Sequence, residues 1–360
     1  LAVRLLLEGG QAIPAERFRL AAQMDLPPRV LFRVIELPML RQRLPGVLAV
    51  IFAICLSSFA VVLTLGGGPA ATTIELAIYQ AFTFDFDLGR AATLAVLQLV
   101  MVTGAALLAL RAARGEGLGA GLDRPVRIWS DSRILRVQDG VILALTVLFV
   151  ASPILLLLAR GLMSLTDLPA SVWAAALTSV LVALASTVFA VLTGLALALP
   201  RRALFDSVAM MTLSASPLVL GTGLFLLIRP VVFPGDHILV ITALVNAAGA
   251  LPFVLRSLAP EIRATEEGFG RLADSLNLTG WSRLRWLILP RLRRALGFAA
   301  GLAAALSIGD LGVIALFPPP DTATLPLQIY RLMGAYRMET AAAASLLLVA
   351  LSFGLFALFD

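Results

Sequence analysis

Apolar residues in this chain do not alternate with polar ones but run in long blocks. Eight blocks, at 46–65, 91–110, 141–159, 168–199, 207–228, 238–255, 295–317 and 341–359, match or approach the length of a membrane span. A helix rising 1.5 Å per residue needs about 20 apolar residues to cross a hydrocarbon core about 30 Å thick. Seven blocks contain no charged residue, and the eighth contains Asp310. In hydrocarbon only helices and closed barrels satisfy every backbone polar group. A barrel would show alternating segments of about ten residues, and the sequence has none. The pattern predicts an all-α membrane protein, a polytopic helical bundle.

Composition narrows the chemistry. The chain is 60% hydrophobic and 14% charged, against about 25% charged residues in soluble domains. That excludes an ordinary cytosolic enzyme, a secreted disulfide scaffold and a disordered tail. With one cysteine (Cys55) and one histidine (His237), neither a zinc cluster nor a Cys-His dyad can be assembled, and no metal site is expected. All 28 basic residues are arginine. A standard nucleotide-binding P-loop needs a lysine for the β/γ-phosphates, so energy must come from a partner or an ion gradient. Segments 1–45, 111–136, 200–203 and 256–294 hold 23 of the arginines, and alternate blocks place them all on one side. Arg90, Arg160, Arg229, Arg331 and Arg337 fall on the other. By the positive-inside rule the arginine-rich side is cytoplasmic. The net charge of +6 is then a topology signal: membrane lipid is an expected partner and nucleic acid is not.

The chain repeats itself. Residues 19–38 (RLAAQMDLPPRVLFRVIELP) align without gaps on 271–290 (RLADSLNLTGWSRLRWLILP), with identity at seven positions; average composition gives about two by chance. After one residue of gap, TIELAIYQ (73–80) pairs with TLPLQIYR (324–331). Four apolar blocks precede the second copy and almost nothing precedes the first. The expectation is two homologous six-helix halves, the first truncated at its N-terminus. Residues 1–110 would hold the C-terminal part of the first half, with its loop at 11–45 and helices at 46–65 and 91–110. A Gly-rich charged linker (GEGLGAGLDRP) falls within 111–140, and 141–360 would be the second half, with its loop at 261–290. The start, LAVRLLL, reads as a helix already under way rather than a signal peptide.

The segment 261–290 opens with EIRATEEGFG, continues as an amphipathic helix and turns at Asn277–Gly280. A short second helix carries Trp281, Leu284, Trp286 and Leu287 and is expected to stop at Pro290, because proline cannot continue a helix. Such a helix–turn–helix at the membrane surface suits a protein groove or, alternatively, lipid headgroups. Its duplication at matched positions favours a protein partner. The pattern resembles the EAA loop of binding-protein-dependent ABC importers, E-A-A-x₃-G-x₉-I-x-L-P. Ala21 and Ala273 fill the second Ala, Ile35 and Leu287 the Ile, and Leu37-Pro38 and Leu289-Pro290 the closing pair. Two places depart: Arg19 and Arg271 stand where the motif has Glu, and Asp25 and Asn277 where it has Gly. Asp and Asn are the residues that best tolerate positive φ after glycine, so the turn can persist. The stretches 65–87 and 307–337 further resemble the fused permease of thiamine/thiamine pyrophosphate importers, along the whole chain.

The resemblance implies a type I ABC importer permease architecture without catalytic residues or cofactor of its own. Two cytoplasmic ATPase subunits would each receive one loop and would bind the ATP and magnesium, and a periplasmic binding protein would dock outside. Coupling would fall to Arg19, Leu20, Ala21, Asp25, Arg33, Leu37 and Pro38 in the first loop. Arg271, Leu272, Ala273, Asn277, Arg285, Leu289 and Pro290 would serve in the second.

Four residues are candidates for the substrate path. Asp310 is the single acid inside a span, and intramembrane charges mark functional sites; a carboxylate would ease passage of a cation, and a local structural hydrogen bond is the alternative. Ser58, its repeat counterpart, Asn246 and Ser216 (with Ser214 nearby) are further candidates, against the commoner role of bonding between helices. Glu75, Tyr79, Gln328 and Tyr330 fall in outer segments and are candidates for docking the binding protein, or are plain surface polarity. Gly66–Gly68 reads as a turn. Three rival readings are a ferric-iron permease of the same architecture, an ion-coupled secondary transporter and a membrane enzyme. Hard ferric iron favours several carboxylate or phenolate oxygens, a secondary transporter favours paired intramembrane ionisable groups, and an enzyme needs a nucleophile–base or metal constellation.

Overall fold

The computed structural model describes residues 6, 13, 15–24, 26–66, 72–112, 133–200, 216–228, 237–316 and 322–359. Among them there is no strand. The helices in chain order are α1 (Ala15–Gln23), α2 (Pro28–Leu31), a π-helical turn (Phe32–Glu36), α3 (Leu37–Leu56), α4 (Phe59–Leu65), α5 (Ile74–Thr83), α6 (Leu88–Ala112) and α7 (Arg133–Met163). They continue with α8 (Ala170–Ala198), α9 (Pro217–Ile228), α10 (Ile238–Ser275), α11 (Gly280–Arg283), a second π-helical turn (Leu284–Ile288), α12 (Leu289–Ile308), α13 (Gly312–Leu316), α14 (Leu325–Gly334) and α15 (Met338–Phe359). Seven described helical stretches are long and apolar enough to span a membrane. The block at 207–228 is represented by α9, since 207–215, Ser214 included, lie outside the described residues, as do Gly67, Gly68 and 113–132 of the linker.

The repeat survives as structure. Adding 252 to the first copy's numbers carries α2, the π-turn and α3 onto α11, the second π-turn and α12, residue for residue. Adding 251 carries α5 onto α14, reproducing the one-residue gap.

Four boundaries differ from the expectation. The block 46–65 is not one helix: α3 stops at Leu56, and the chain breaks at Ser57 and Ser58 before α4. The block 295–317 breaks at the equivalent place, after Ile308, where Gly309 and Asp310 interrupt it. Short polar residues and glycine offer the backbone local alternatives to helix, and hydropathy cannot register that. Conversely, α10 does not stop near residue 255; it runs 38 residues through Pro252 and Pro260. Its buried face (Val254, Leu255, Leu258, Ile262) continues past both prolines, and neighbouring helices let a membrane helix absorb proline. Pro290 likewise does not end a helix. It occupies the first turn of α12, where the missing N–H is not needed, and the π-turn before it leads straight in.

The chain divides into two compact units, residues 1–58 with 100–154, and residues 59–99 with 155–360. In the first, Ile13, Phe18 and Met39 form a small core with Leu31, Ile35 and Leu40 against it. In the second, α8, α10 and α12 share a core of small residues, among them Ala190, Ala247, Ala250, Ala299 and Ala303, interleaved with Val254, Leu255, Leu258 and Leu292. Small side chains let membrane helices approach closely, and polar groups tie them. A Cβ on Gly194 of α8 would stand 2.5 Å from Val254 Cγ1. Asn246 Nδ2 of α10 donates to Ser307 O (3.2 Å) and Ser307 Oγ (3.0 Å) of α12. The Leu325 N–H at the start of α14 donates to Ser179 Oγ of α8 at 2.7 Å.

Candidate functional site

The two loops turn by the same hydrogen bonds. In the second copy, Leu276 N–H donates to Leu272 O (3.1 Å) and Leu278 N–H to Ala273 O (2.9 Å); in the first, Met24 N–H donates to Leu20 O (3.0 Å) and Leu26 N–H to Ala21 O (3.1 Å). Ala21 and Ala273 are both buried inside the turn, which explains a small residue at that place. Asn277 has φ 53°, the left-handed conformation anticipated for it. Asp25, its counterpart, lies outside the described residues. A valine at 277 is expected to destabilise the loop by about 1–2 kcal/mol through the Cβ clash of left-handed backbone, while Asn277→Gly is near neutral. Thermal unfolding of the two variants in detergent checks this; equal losses would sink it.

The remaining sequence-predicted coupling residues take matched positions in both copies. Arg19 and Arg271, Leu20 and Leu272, Arg33 and Arg285, and Pro38 and Pro290 are exposed; Leu37 and Leu289 are half-buried. Trp281, Trp286 and Leu276 add exposed apolar surface to the second loop.

What holds the second loop together was not read from the sequence. Arg283 of α11 grips Glu266 of α10 with two bonds, Nε to Oε1 at 3.1 Å and Nη2 to Oε2. Its Nη1 donates to Asp274 Oδ1 at 2.7 Å. Glu266 is buried. The bond to Glu266, with Asp274 adding to it, raises the Arg283 pKa further above its ordinary value, so the guanidinium is charged at any working pH. A bidentate fork of this kind fixes orientation as well as distance. At the matching places the first copy has Pro14, Leu31 and Ala22, and Leu31 packs in an apolar core instead. One loop is closed by charge and the other by hydrophobic contact. The sequence signal was present in ATEEGFG, a charged helix turn followed by Arg283 across the bend.

The second unit also gathers polar groups. Glu75 on α5 is fully buried, and its Oε1 accepts from Gln98 Nε2 of α6 at 2.9 Å. The Ser216 hydroxyl, before α9, lies beside the same carboxylate, and the charge of Asp310 reaches it. Asp310 lies against the start of α13, its Oδ1 3.5 Å from where a Cβ on Gly312 would stand. The structure therefore brings together Asp310, Ser216 and Glu75. Asn246 bonds Ser307 in the next turn, and Ser58 is half-buried in the other unit.

The expected outer docking surface is corrected for Glu75 and Tyr79. Both are buried, Tyr79 against Phe59 with ring centroids 5.3 Å apart. Their short helix α5 is wedged into an apolar core with α9 and α13, so neither offers a surface to a docking protein. Gln328 is half-buried and donates to Ser171 Oγ at 3.3 Å; Tyr330 is half-buried.

An all-α chain with membrane-spanning helices, breaks in its spans and a duplicated loop–π-turn–helix unit is a polytopic permease. No protein-family model matches it. The whole chain aligns at 38% identity with the thiamine transport system permease protein of Escherichia coli (strain K12), covering 70% of that protein. The protein of that name from Brucella abortus (strain 2308) is 39% identical over the whole chain, with 68% of its own length covered. The one from Haemophilus influenzae (strain Rd) is 34% identical over 99% of the chain and 69% of its own length. The chain belongs to the thiamine transport system permease family.

Proposed function

We propose that this chain is the inner-membrane permease subunit of an ATP-driven, binding-protein-dependent importer that moves thiamine or thiamine pyrophosphate by alternating access. The observation that carries the reading is the duplicated loop, alike in its hydrogen bonds, leading each time through a π-turn into a membrane helix. Whole-chain identity to permeases named for thiamine transport supports the substrate. Ferric iron is disfavoured, since the described residues contain no group of three or more His, Cys, Asp or Glu side chains able to hold a metal. Two cytoplasmic ATPase subunits, carrying the ATP and magnesium, each take one loop. The exposed Leu272, Leu276, Trp281 and Trp286 enter a groove on one of them, as amphipathic helices do. A substrate-binding protein delivers thiamine on the opposite face.

The test is uptake of labelled thiamine into liposomes holding the full-length protein with its ATPase and binding protein. Uptake that needs ATP and is lost when both loops are disrupted is the expected result. ATP hydrolysis stimulated by the binding protein, without thiamine uptake, would keep the importer and remove the substrate. Neither signal would remove both.

A further inference from the structure

We propose that Glu75 and Asp310, with Gln98, Ser216 and Tyr79 around them, form a binding site inside the permease for an organic cation of planar, delocalised charge. The inference deepens the thiamine reading and rests on it for the identity of the cation.

The argument begins with an imbalance of charge. Glu75 has no exposed surface, and its Oε2 meets no hydrogen-bond donor. Asp310 Oδ2 is also buried without a donor. Among the described residues neither carboxylate has an ion-pair partner. A desolvated, unpaired carboxylate is among the costliest features a protein can hold, and two within reach of each other add repulsion. Both have an open oxygen: Glu75 is held through Oε1 by Gln98, and Asp310 is placed by the turn of the chain into α13. The tethers aim the carboxylates without neutralising them.

The surroundings select the kind of positive charge. The helices that carry the two acids, α5 and the start of α13, belong to an apolar core with Phe59, Phe82, Leu218, Leu311 and Ile314, surroundings that suit a weakly hydrated cation better than a compact metal ion. Tyr79 stands one helical turn from Glu75 and is buried; aromatic faces attract cations. Hard metal ions require more oxygen ligands than two carboxylates supply. The thiazolium ring of thiamine has the required character: flat, singly charged and aromatic. The site is also asymmetric with respect to the repeat, because Glu75 corresponds to Pro326 and Asp310 to Ser58. Each copy contributes one acid from a different place, so a single site results.

The test uses full-length protein and the variants Glu75→Gln, Asp310→Asn and their combination, with Glu75→Asp and Asp310→Glu keeping the charge. Two quantities are read: equilibrium binding of labelled thiamine to the permease alone, and thiamine moved per ATP hydrolysed in the reconstituted complex. Each neutralising change is expected to lower both by about tenfold or more, as removal of a desolvated charge contact does, and the charge-keeping variants regain part. Thermal stability of the neutralised variants is expected to hold or rise, because an unpaired buried charge has been removed. Unchanged binding and transport in the double variant would overturn the site. So would losses that track a fall in thermal stability and are not recovered by the charge-keeping variants. Carboxylate-dependent binding of thiamine without ATP-driven uptake would preserve the site and remove the import reading instead.

Discussion

Arg283→Met is expected to loosen the second loop by about 2–4 kcal/mol, somewhat below the usual cost of breaking a fully buried ion pair, because Arg283 is partly exposed. Glu266 is 9% exposed, and each of its carboxylate oxygens accepts a bond from this one guanidinium. Without it the carboxylate loses both of those bonds, and α11 loses its charged tie to α10. The π-turn and α12 follow α11 without a break, so the displacement should reach the membrane helix. Hydrogen exchange across residues 270–288 should rise, and thiamine uptake should fall with it. The informative partner is Glu266→Leu with Arg283→Leu, which imitates the apolar closure around Leu31. Apolar replacements of buried ion pairs are often neutral or stabilising, so the double variant should recover most of the protection. A double variant as exposed as Arg283→Met would show that the charge pair has no apolar equivalent here.

The second large effect is expected at Gly301, where α12 passes α15. A Cβ there would stand 2.9 Å from the Phe356 backbone oxygen and 3.2 Å from its Cδ2. A backbone oxygen cannot rotate aside, so α15 itself must move. Gly301→Ala should destabilise by about 1–3 kcal/mol, as overpacking does, and Gly301→Leu should prevent accumulation of folded protein. Gly249→Ala in α10 is the control: open space surrounds its Cβ position, and an alanine in mid-helix should gain about 0.5–1 kcal/mol. Unfolding midpoints in detergent compare the two alanine variants with the parent protein, and the yield of folded protein reports on Gly301→Leu. Equal midpoints for Gly301→Ala and Gly249→Ala would refute the close approach.

Much of the fold was legible because a bilayer imposes a length rule on every span. Residues 141–159, 168–199 and 341–359 needed only a count of apolar positions: α7 and α15 run past theirs, and α8 falls just inside its own. The coupling loop was legible because it occurs twice, and repetition at fixed spacing is visible without coordinates. Even the left-handed turn at Asn277 followed from residue chemistry. The helix breaks after Leu56 and Ile308, and the continuity of α10 through Pro252 and Pro260, were not legible. Hydropathy reports the solvent of a segment and not the path of its backbone.

The candidate sites divide in the same way. Asp310 was noticeable as an acid within an apolar block, but Glu75 read as an outer docking residue or plain surface polarity, because it lies in the short stretch between two apolar blocks. Its burial follows from α9 and α13 closing over α5, helices well over 100 residues away along the chain. The Arg283–Glu266 grip, 17 residues apart across a bend, likewise depends on how α11 folds back. The sequence by itself determined the solvent of each segment, the uneven placement of arginine between alternate segments and the duplicated loop, because these depend on local composition. Only the tertiary structure decided which polar groups meet, since partnership between buried charges depends on distance and desolvation, and neither is written along the chain.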